Sequence, residues 1–413
     1  MMTKATFIPL IPIIIPASVL LHQLRRNPEP STARLLFMCV PMALTSLLLI
    51  NALYGFEGFG TRLGELPFKS RSFARNDMPG ITWPINKFSG SALGDLPVPL
   101  PSSLLQGIDV QRGDFEQGYR SYLMGEWKHG GWYYYYFVGF LVKQPIGFQV
   151  LLFASILHSI FHWRRWTASG IAWWGTILLT PLLVFGLVSS QTGFNHHMRY
   201  VLPGLPCLFV IAARTVTFGP MGRRLAILCA VVQFGSVASV SPSWLSYFNE
   251  LAGGPMRGHN WLLDSNIDWG QDVGRLLTWV DAHPDRDLQA AVNAAYDLSD
   301  LGIDFQLPPP FVPGHPEIVD AHGRRGPVPG WFAISICQLK GHQFLVQNHS
   351  GRLDWTDGQF AYFMDNFEPD ETVGYSIYIY HITEVEADEL RRKLLREEAL
   401  LMGERKIDDE RPE

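Results

Sequence analysis

Asp264, Asn266, Asp268 and Asp272 gather three carboxylates and an amide within nine residues, in the run Asp264-Ser-Asn-Ile-Asp-Trp-Gly-Gln-Asp272. Counted from Asp264 they stand at positions 1, 3, 5 and 9, which echoes the opening ligands of a calcium loop. The echo stops at position 6, which is Trp269 rather than Gly, and at position 12, which is Arg275 rather than Glu. A divalent metal is therefore not expected. The same residues could start a helix, with Asp264 or Ser265 as cap and the acids favoured by its N-terminal dipole. They could also contact a substrate or the face of the membrane part. Sequence alone leaves these two readings open.

A second set is basic. Gln191–Arg199 carries His196, His197 and Arg199 and runs into Tyr200-Val-Leu-Pro203, directly after an apolar stretch. Arginine is a permanent, bidentate phosphate donor, and histidine can assist it. The bland alternative is an interfacial anchor whose Arg snorkels to water. Two adjacent histidines without a nearby third ligand make a poor metal pair. Lys143 lies either some way into an apolar stretch or at its outer end, depending on whether Pro145 breaks the helix. An ionisable group at membrane depth marks function by default. Together, Lys143 and Arg199 could hold the phosphate of a lipid carrier.

Other chemistries find little support. There is no Gly-rich phosphate loop, Ser-x-x-Lys, His-Glu-x-x-His or Gly-x-Ser-x-Gly. Cys39, Cys207 and Cys229 lie in apolar runs and only Cys337 lies in the polar portion, so neither a disulfide framework nor a cysteine metal site can be built. The net charge of −5 and the lack of a basic cluster argue against nucleic acid.

The elements that must position these residues follow from composition. Apolar residues make up 47% and charged residues only 17% of 413. The apolar first half and the polar last third point to a membrane part followed by a soluble part. A span needs about 20 mostly apolar residues. Six stretches qualify: Phe7–Leu21 (short, with Pro9, Pro12 and Pro16), Leu35–Tyr54, Trp132–Phe161, Ala168–Ser190, Val201–Gly219 and Leu225–Trp244. Short loops carrying Arg25, Arg26 and Arg34, then Arg164 and Arg165, then Arg214, Arg223 and Arg224 fall on one side, which is expected to be cytoplasmic. The opposite side receives Gly55–Gly131, Gln191–Arg199 and everything after Trp244. The expected fold class is a polytopic α-helical membrane protein with about six spans and a C-terminal extracytoplasmic α/β domain. Its divisions are two spans over 1–54, an external loop over 55–131, four spans over 132–244 and a soluble domain over 245–413.

The loop is Gly- and Pro-rich, with an extended Leu96-Pro-Val-Pro-Leu-Pro101. Trp132 and the tyrosines at 133–136 read as an aromatic belt or, alternatively, a stacking platform for sugar rings. In the soluble part, Asp272–Ala282 has helical spacing, and Leu288–Ala295, Trp331–Leu339 and Val373–Ile382 read as strands. Glu384–Lys406 reads as a charged helix.

Several stretches together resemble one family. They are Gly131-Trp-Tyr-Tyr leading to Lys143-Gln-Pro145, His197-Met-Arg-Tyr-Val-Leu-Pro-Gly-Leu-Pro206, Tyr247-Phe-Asn-Glu-Leu-Ala-Gly-Gly-Pro255, the Asp264–Asp272 run and Val373-Gly-Tyr-Ser-Ile-Tyr. From roughly Leu48 to Thr383 the chain looks like the C-terminal half of the bacterial phospholipid-carrier-dependent glycosyltransferases, relatives of protein O-mannosyltransferases and of the lipid A aminoarabinose transferase. The resemblance implies an inner-membrane, multi-pass protein that transfers a sugar from a polyprenyl-phosphate donor to an extracytoplasmic acceptor. Basic residues would neutralise the leaving phosphate. An acidic base would sit in the family's first external loop, which this chain begins too late to contain, and Glu57 does not match it. The expected partners are membrane lipid and the lipid-linked sugar; the front half would belong to a longer gene product or be supplied by a second polypeptide, or else the chain is a non-catalytic remnant. The alternatives are a non-catalytic, membrane-anchored glycan- or partner-binding protein and, more weakly, a transporter.

Overall fold

The computed structural model describes residues 32–75, 84–165, 167–294, 298–302, 305–320, 322–341, 345–347, 353–355 and 358–409. The expected span Phe7–Leu21 lies outside them. The chain divides into two units, Met1–Gly235 and Ser236–Glu413.

Among the described residues the first element of the first unit is α1 (Thr32–Leu53). The region that follows holds more than an extended loop. It contains strands β1 (Ala74–Arg75) and β2 (Ile85–Asn86), helix α2 (Ser102–Gln117) and the hairpin β3 (Arg120–Leu123) and β4 (Glu126–His129). Acidic side chains on α2 organise the backbone beside it. Asp109 accepts from the N–H groups of Lys69 at 2.6 Å and Ser70 at 3.0 Å, and Glu116 accepts from those of Arg71 at 2.6 Å and Ser72 at 3.0 Å.

Four apolar segments complete the unit. Helices α3 (Tyr135–Lys143) and α4 (Ile146–Phe161) are bent by 116° at the break between them. The single stretch expected over Trp132–Phe161 is thus two helices. Pro145 has no N–H to continue the ladder and disfavours helical geometry at Gln144. Gln149 serves the carbonyls freed at the bend, donating to Leu141 at 2.8 Å and Gln144 at 2.9 Å. Next comes α5 (Ala168–Ser190), then a helical stretch over Met198–Thr217 whose centre is α6 (Leu205–Ala213), then α7 (Gly219–Ser239). The last begins earlier than the expected Leu225 and ends before Trp244. Gly219 turns the chain at φ 82°, and turns through Ser241 and Ser243 close the helix.

Among the described residues, three helices are long and apolar enough to cross a membrane, or four if the bent pair counts as one span. They are Trp173–Ser190, Met198–Thr217 and Gly219–Ser239. Their outward surfaces are apolar, as at Leu182, Ile227, Val231 and Phe234. A helix with few polar residues on any side suits burial or lipid rather than water.

The second unit is built on a four-stranded mixed sheet in the order β5 (Leu288–Ala291), β6 (Gly330–Ser335), β10 (Ile377–Ile382), β9 (Glu371–Val373). Strands β5 and β6 are parallel and the other pairs antiparallel. A separate pair joins β7 (Leu345–Gln347) and β8 (Leu353–Trp355). Helix α8 (Val273–Ala282) packs Val273, Leu276 and Trp279 against Leu288, Ala333, Ile377 and Ile379. On other strand positions Phe332 and Tyr380 meet Phe363, at 5.0 and 5.4 Å between ring centres. The C-terminal helix starts with a reciprocal cap, in which Thr383 N–H donates to Glu386 at 2.9 Å and Glu386 N–H to Thr383 at 3.4 Å.

Three expected strands are altered. Trp331–Leu339 is a strand only to Ser335 and then turns into a short helix over Ile336–Leu339. Val373–Ile382 is a hairpin, because Gly374 adopts φ 62° and folds the run back on itself. The expected strand Leu288–Ala295 stops at Ala291.

Candidate functional site

The residues singled out from sequence fall into two clusters, one in each unit. The basic cluster begins with Lys143, the half-buried last residue of α3. One turn earlier, Gly139 leaves room for the thioether of Met198, which a side chain there would strike. On the same helix the Tyr136 ring meets the Tyr200 ring edge-on at 6.5 Å. Helix α3 and the segment 198–200 are therefore packed neighbours, so the structure brings the Lys143 helix to the chain carrying Arg199.

Hydrogen bonds fix that segment from the other side. Asn195 N–H donates to Ser121 Oγ at 2.7 Å, and Asn195 Oδ1 accepts from Trp132 N–H at 2.5 Å. The Nε2 of His196 meets the Arg120 carbonyl at 2.6 Å. His196 is thus engaged with β3, whereas His197 turns towards Tyr200 with ring centres 5.7 Å apart. Tyr200 is buried and its hydroxyl accepts from Gln111 Nε2 at 3.4 Å. Arg199 is exposed. The cluster offers two cations of contrasting access, one half-buried at a helix end and one at the surface. The Tyr200 hydroxyl and the His197 imidazole lie on the same segment as Arg199.

Sequence reasoning missed Gln111, Asn195 and Arg112 here. Arg112 donates to Gln191 Oε1 at 3.1 Å, anchoring the start of the same segment. Asn195 directly precedes His196 and could have been weighed with it. The two α2 residues gave no signal, because their partners lie 89 and 79 positions away. The tyrosine run also divides. Tyr135 and Tyr136 are core residues, Tyr134 is partly exposed and Tyr133 projects outward.

The acidic cluster is closed. Asp264, Asn266, Asp268 and Asp272 are all buried. Asp264–Asn266 forms one short helical turn, with Asp264 at φ 59° and its carboxylate accepting from the Ser265 N–H. The helix itself starts at Val273, so the cap position belongs to Asp272 and not to Asp264 or Ser265. The Asp272 side chain does not cap. It accepts from Ser376 Oγ at 2.8 Å, from Tyr375 N–H at 3.3 Å and from Arg275 Nη1 at 3.1 Å. A side chain at Gly374 would collide with that carboxylate, so the hairpin turn and Asp272 are shaped for each other.

Asp268 has a different setting. Its Oδ1 accepts from Gly270 N–H at 3.0 Å, and its Oδ2 has no hydrogen-bond partner. Burial, with the nearby charges of Asp272 and Asp264, pushes its pKa up to about 7, against the pull of Gly270 N–H and the Ser335 hydroxyl. Cys337 lies close by, its thiol pushed up by burial and by Asp268 and Asp264. His259 is pulled down to about 4 by burial and by Lys340. Among the described residues, no group of three or more His, Cys, Asp or Glu is placed to hold a metal ion.

Comparison of the chain with protein-family models, with curated proteins and with solved structures returns no match.

Proposed function

We propose that this chain is a multi-pass inner-membrane protein of the lipid-carrier-dependent glycosyltransferase type, binding a polyprenyl-phosphate-linked sugar at its outer face. Lys143 and Arg199 would hold the phosphate, with His197 and Tyr200 beside it. The observation that carries the reading is the packing of α3 on the segment 198–200. An ammonium at the end of an apolar helix and a guanidinium on the adjoining chain suit an anion that arrives from within a membrane. In transfer, the two cations would neutralise the charge that develops on the leaving phosphate. No catalytic base is assigned among these residues. The family resemblance and the sidedness of the Arg-bearing loops support six spans, an external position for Gln191–Arg199 and an extracytoplasmic second unit.

The test uses the full chain in lipid nanodiscs and polyprenyl phosphate as probe, with the uncharged polyprenol as control. Lys143→Ala combined with Arg199→Ala should weaken phosphate binding by at least about 100-fold, since hydrogen bonds to charged groups are worth about 1.5–3 kcal/mol each. Polyprenol binding should be unchanged. Equal phosphate binding by the double variant and the unaltered chain would overturn the reading.

A further inference from the structure

The second unit exposes large apolar side chains where its chain leaves the last helix. Trp244 is 58% exposed, Trp269 54% and Leu245 37%. The backbone there is a series of tight turns: Ser241 N–H bonds to Ala238 O, Ser243 N–H to Val240 O and Ser246 N–H to Ser243 O, at 3.1, 2.8 and 3.0 Å. No slack separates Ser239, the end of α7, from Trp244. The Tyr247 hydroxyl also reaches back to Ser236 Oγ, in the last turn of that helix, at 2.9 Å.

Trp269 belongs to the same locality. Ser246 Oγ donates to Ile267 O at 2.7 Å, and Gln271 Nε2 bonds to both Ser246 Oγ at 3.2 Å and Ile267 O at 2.9 Å. Arg275 Nη1 donates to Ser243 Oγ at 2.5 Å. The segments bearing Trp244, Leu245 and Trp269 are thereby laced together at the end of a helix long and apolar enough to cross a membrane.

We propose that Trp244, Leu245 and Trp269 form a membrane-docking patch, seated in the headgroup zone of the bilayer that α7 crosses. Indole suits that zone because its ring is apolar and its N–H is polar. Covalent continuity selects the lipid surface as occupant, since the tether and the Tyr247–Ser236 bond hold the patch at the helix end. One buried carboxylate of the Asp264–Asp272 run gains a role here: Asp268 Oδ1 accepts from Gly270 N–H at 3.0 Å, closing the turn that carries Trp269. The inference takes α7 as a spanning helix and is independent of the lipid-phosphate reading.

The experiment places a cysteine at Trp269, and separately at Leu245, in the full chain. Each is labelled with an environment-sensitive fluorophore and reconstituted in nanodiscs. Glu389→Cys, on the exposed face of the C-terminal helix, serves as the water-facing control, and the unaltered chain labelled alongside gives the background. Labels at 269 and 245 should be quenched by lipids carrying a shallow nitroxide, with iodide quenching at least about threefold weaker than at 389. Iodide quenching equal to that at 389 would overturn the proposal. Protection from both iodide and lipid nitroxide would also overturn it, because protein and not lipid would then cover the patch.

Discussion

The acidic run and the basic segment are built from equally conspicuous residues, yet they are used in opposite ways. Asp272 is buried and spends its oxygens on Ser376, Tyr375 and Arg275, joining the start of α8 to the β9–β10 hairpin. Asp268 is buried with one oxygen unpartnered. In the basic segment His196 is bound to β3 and Tyr200 is buried, while Arg199 stays at the surface. Charge that serves the fold is shut away among fixed donors, whereas charge able to meet an incoming anion has to remain reachable. Dense spacing of chemical groups in a sequence does not distinguish the two cases.

Four substitutions break or sharpen this contrast. The largest effect is expected from Asp272→Ala, which leaves the Ser376 hydroxyl and the Tyr375 N–H without their acceptor. It should destabilise the second unit by about 3 kcal/mol, read as a lower unfolding midpoint and faster proteolysis after residue 236. Cleavage at the unaltered rate would remove Asp272 from its structural role.

Asp268→Asn should act in the other direction at neutral pH. An unfolded chain releases the Asp268 proton near the ordinary value of about 4, whereas the fold keeps it up to about 7. The folded state therefore carries the extra proton between those values, and this residue makes stability fall as pH rises through that window. Asparagine mimics the protonated form and removes the penalty, giving a gain on the order of 2 kcal/mol at pH 7 that fades towards pH 4. His259 contributes the opposite slope. Its pKa is pulled down to about 4, so the fold binds fewer protons than the unfolded chain up to the ordinary histidine value. The variant's unfolding midpoint should consequently rise with pH from 4 to about 6.5. A pH profile parallel to that of the unaltered chain would contradict the Asp268 assignment, and a variant midpoint that stays flat between pH 4 and about 6.5 would contradict the His259 one.

Gln149→Ala tests what presents Lys143. It removes the donor that serves Leu141 and Gln144 at the bend. A loss of about 1 kcal/mol is expected, with polyprenyl-phosphate binding weakened more than detergent-solubilised stability. The smallest effect on folding belongs to Arg199→Ala, an exposed position where a change within about 0.5 kcal/mol is expected. A larger loss would mean that Arg199 also serves the fold.

Composition was enough to read the long apolar helices, because a helix without a polar face can be recognised from its own residues. Pro145 left open whether the stretch Trp132–Phe161 breaks, and the bend of 116° between α3 and α4 answers that it does. The altered strands show where local pattern fails. Val373-Gly-Tyr-Ser-Ile-Tyr alternates as one strand would, but the φ of Gly374 and its fit to Asp272 make it a turn. In the candidate site, Lys143, His197 and Arg199 were legible as types of residue. Gln111 was not, since its approach to Tyr200 depends on α2, inside a region whose Gly and Pro content reads as loop. The helix cap at Asp264 or Ser265, one of the readings the run left open, is absent for a related reason. The turn at 264–266 ends before the helix starts, and only the packed hairpin shows why Asp272 has the larger role.

One measurement tests the contrast directly: polyprenyl-phosphate binding by the full chain in nanodiscs, compared between Lys143→Ala/Arg199→Ala and Asp264→Asn/Asp268→Asn. The account predicts that the basic pair lowers affinity by at least about 100-fold and that the acidic pair leaves it unchanged. Loss of binding in the acidic pair, with full binding retained in the basic pair, would reverse the roles assigned to the two clusters.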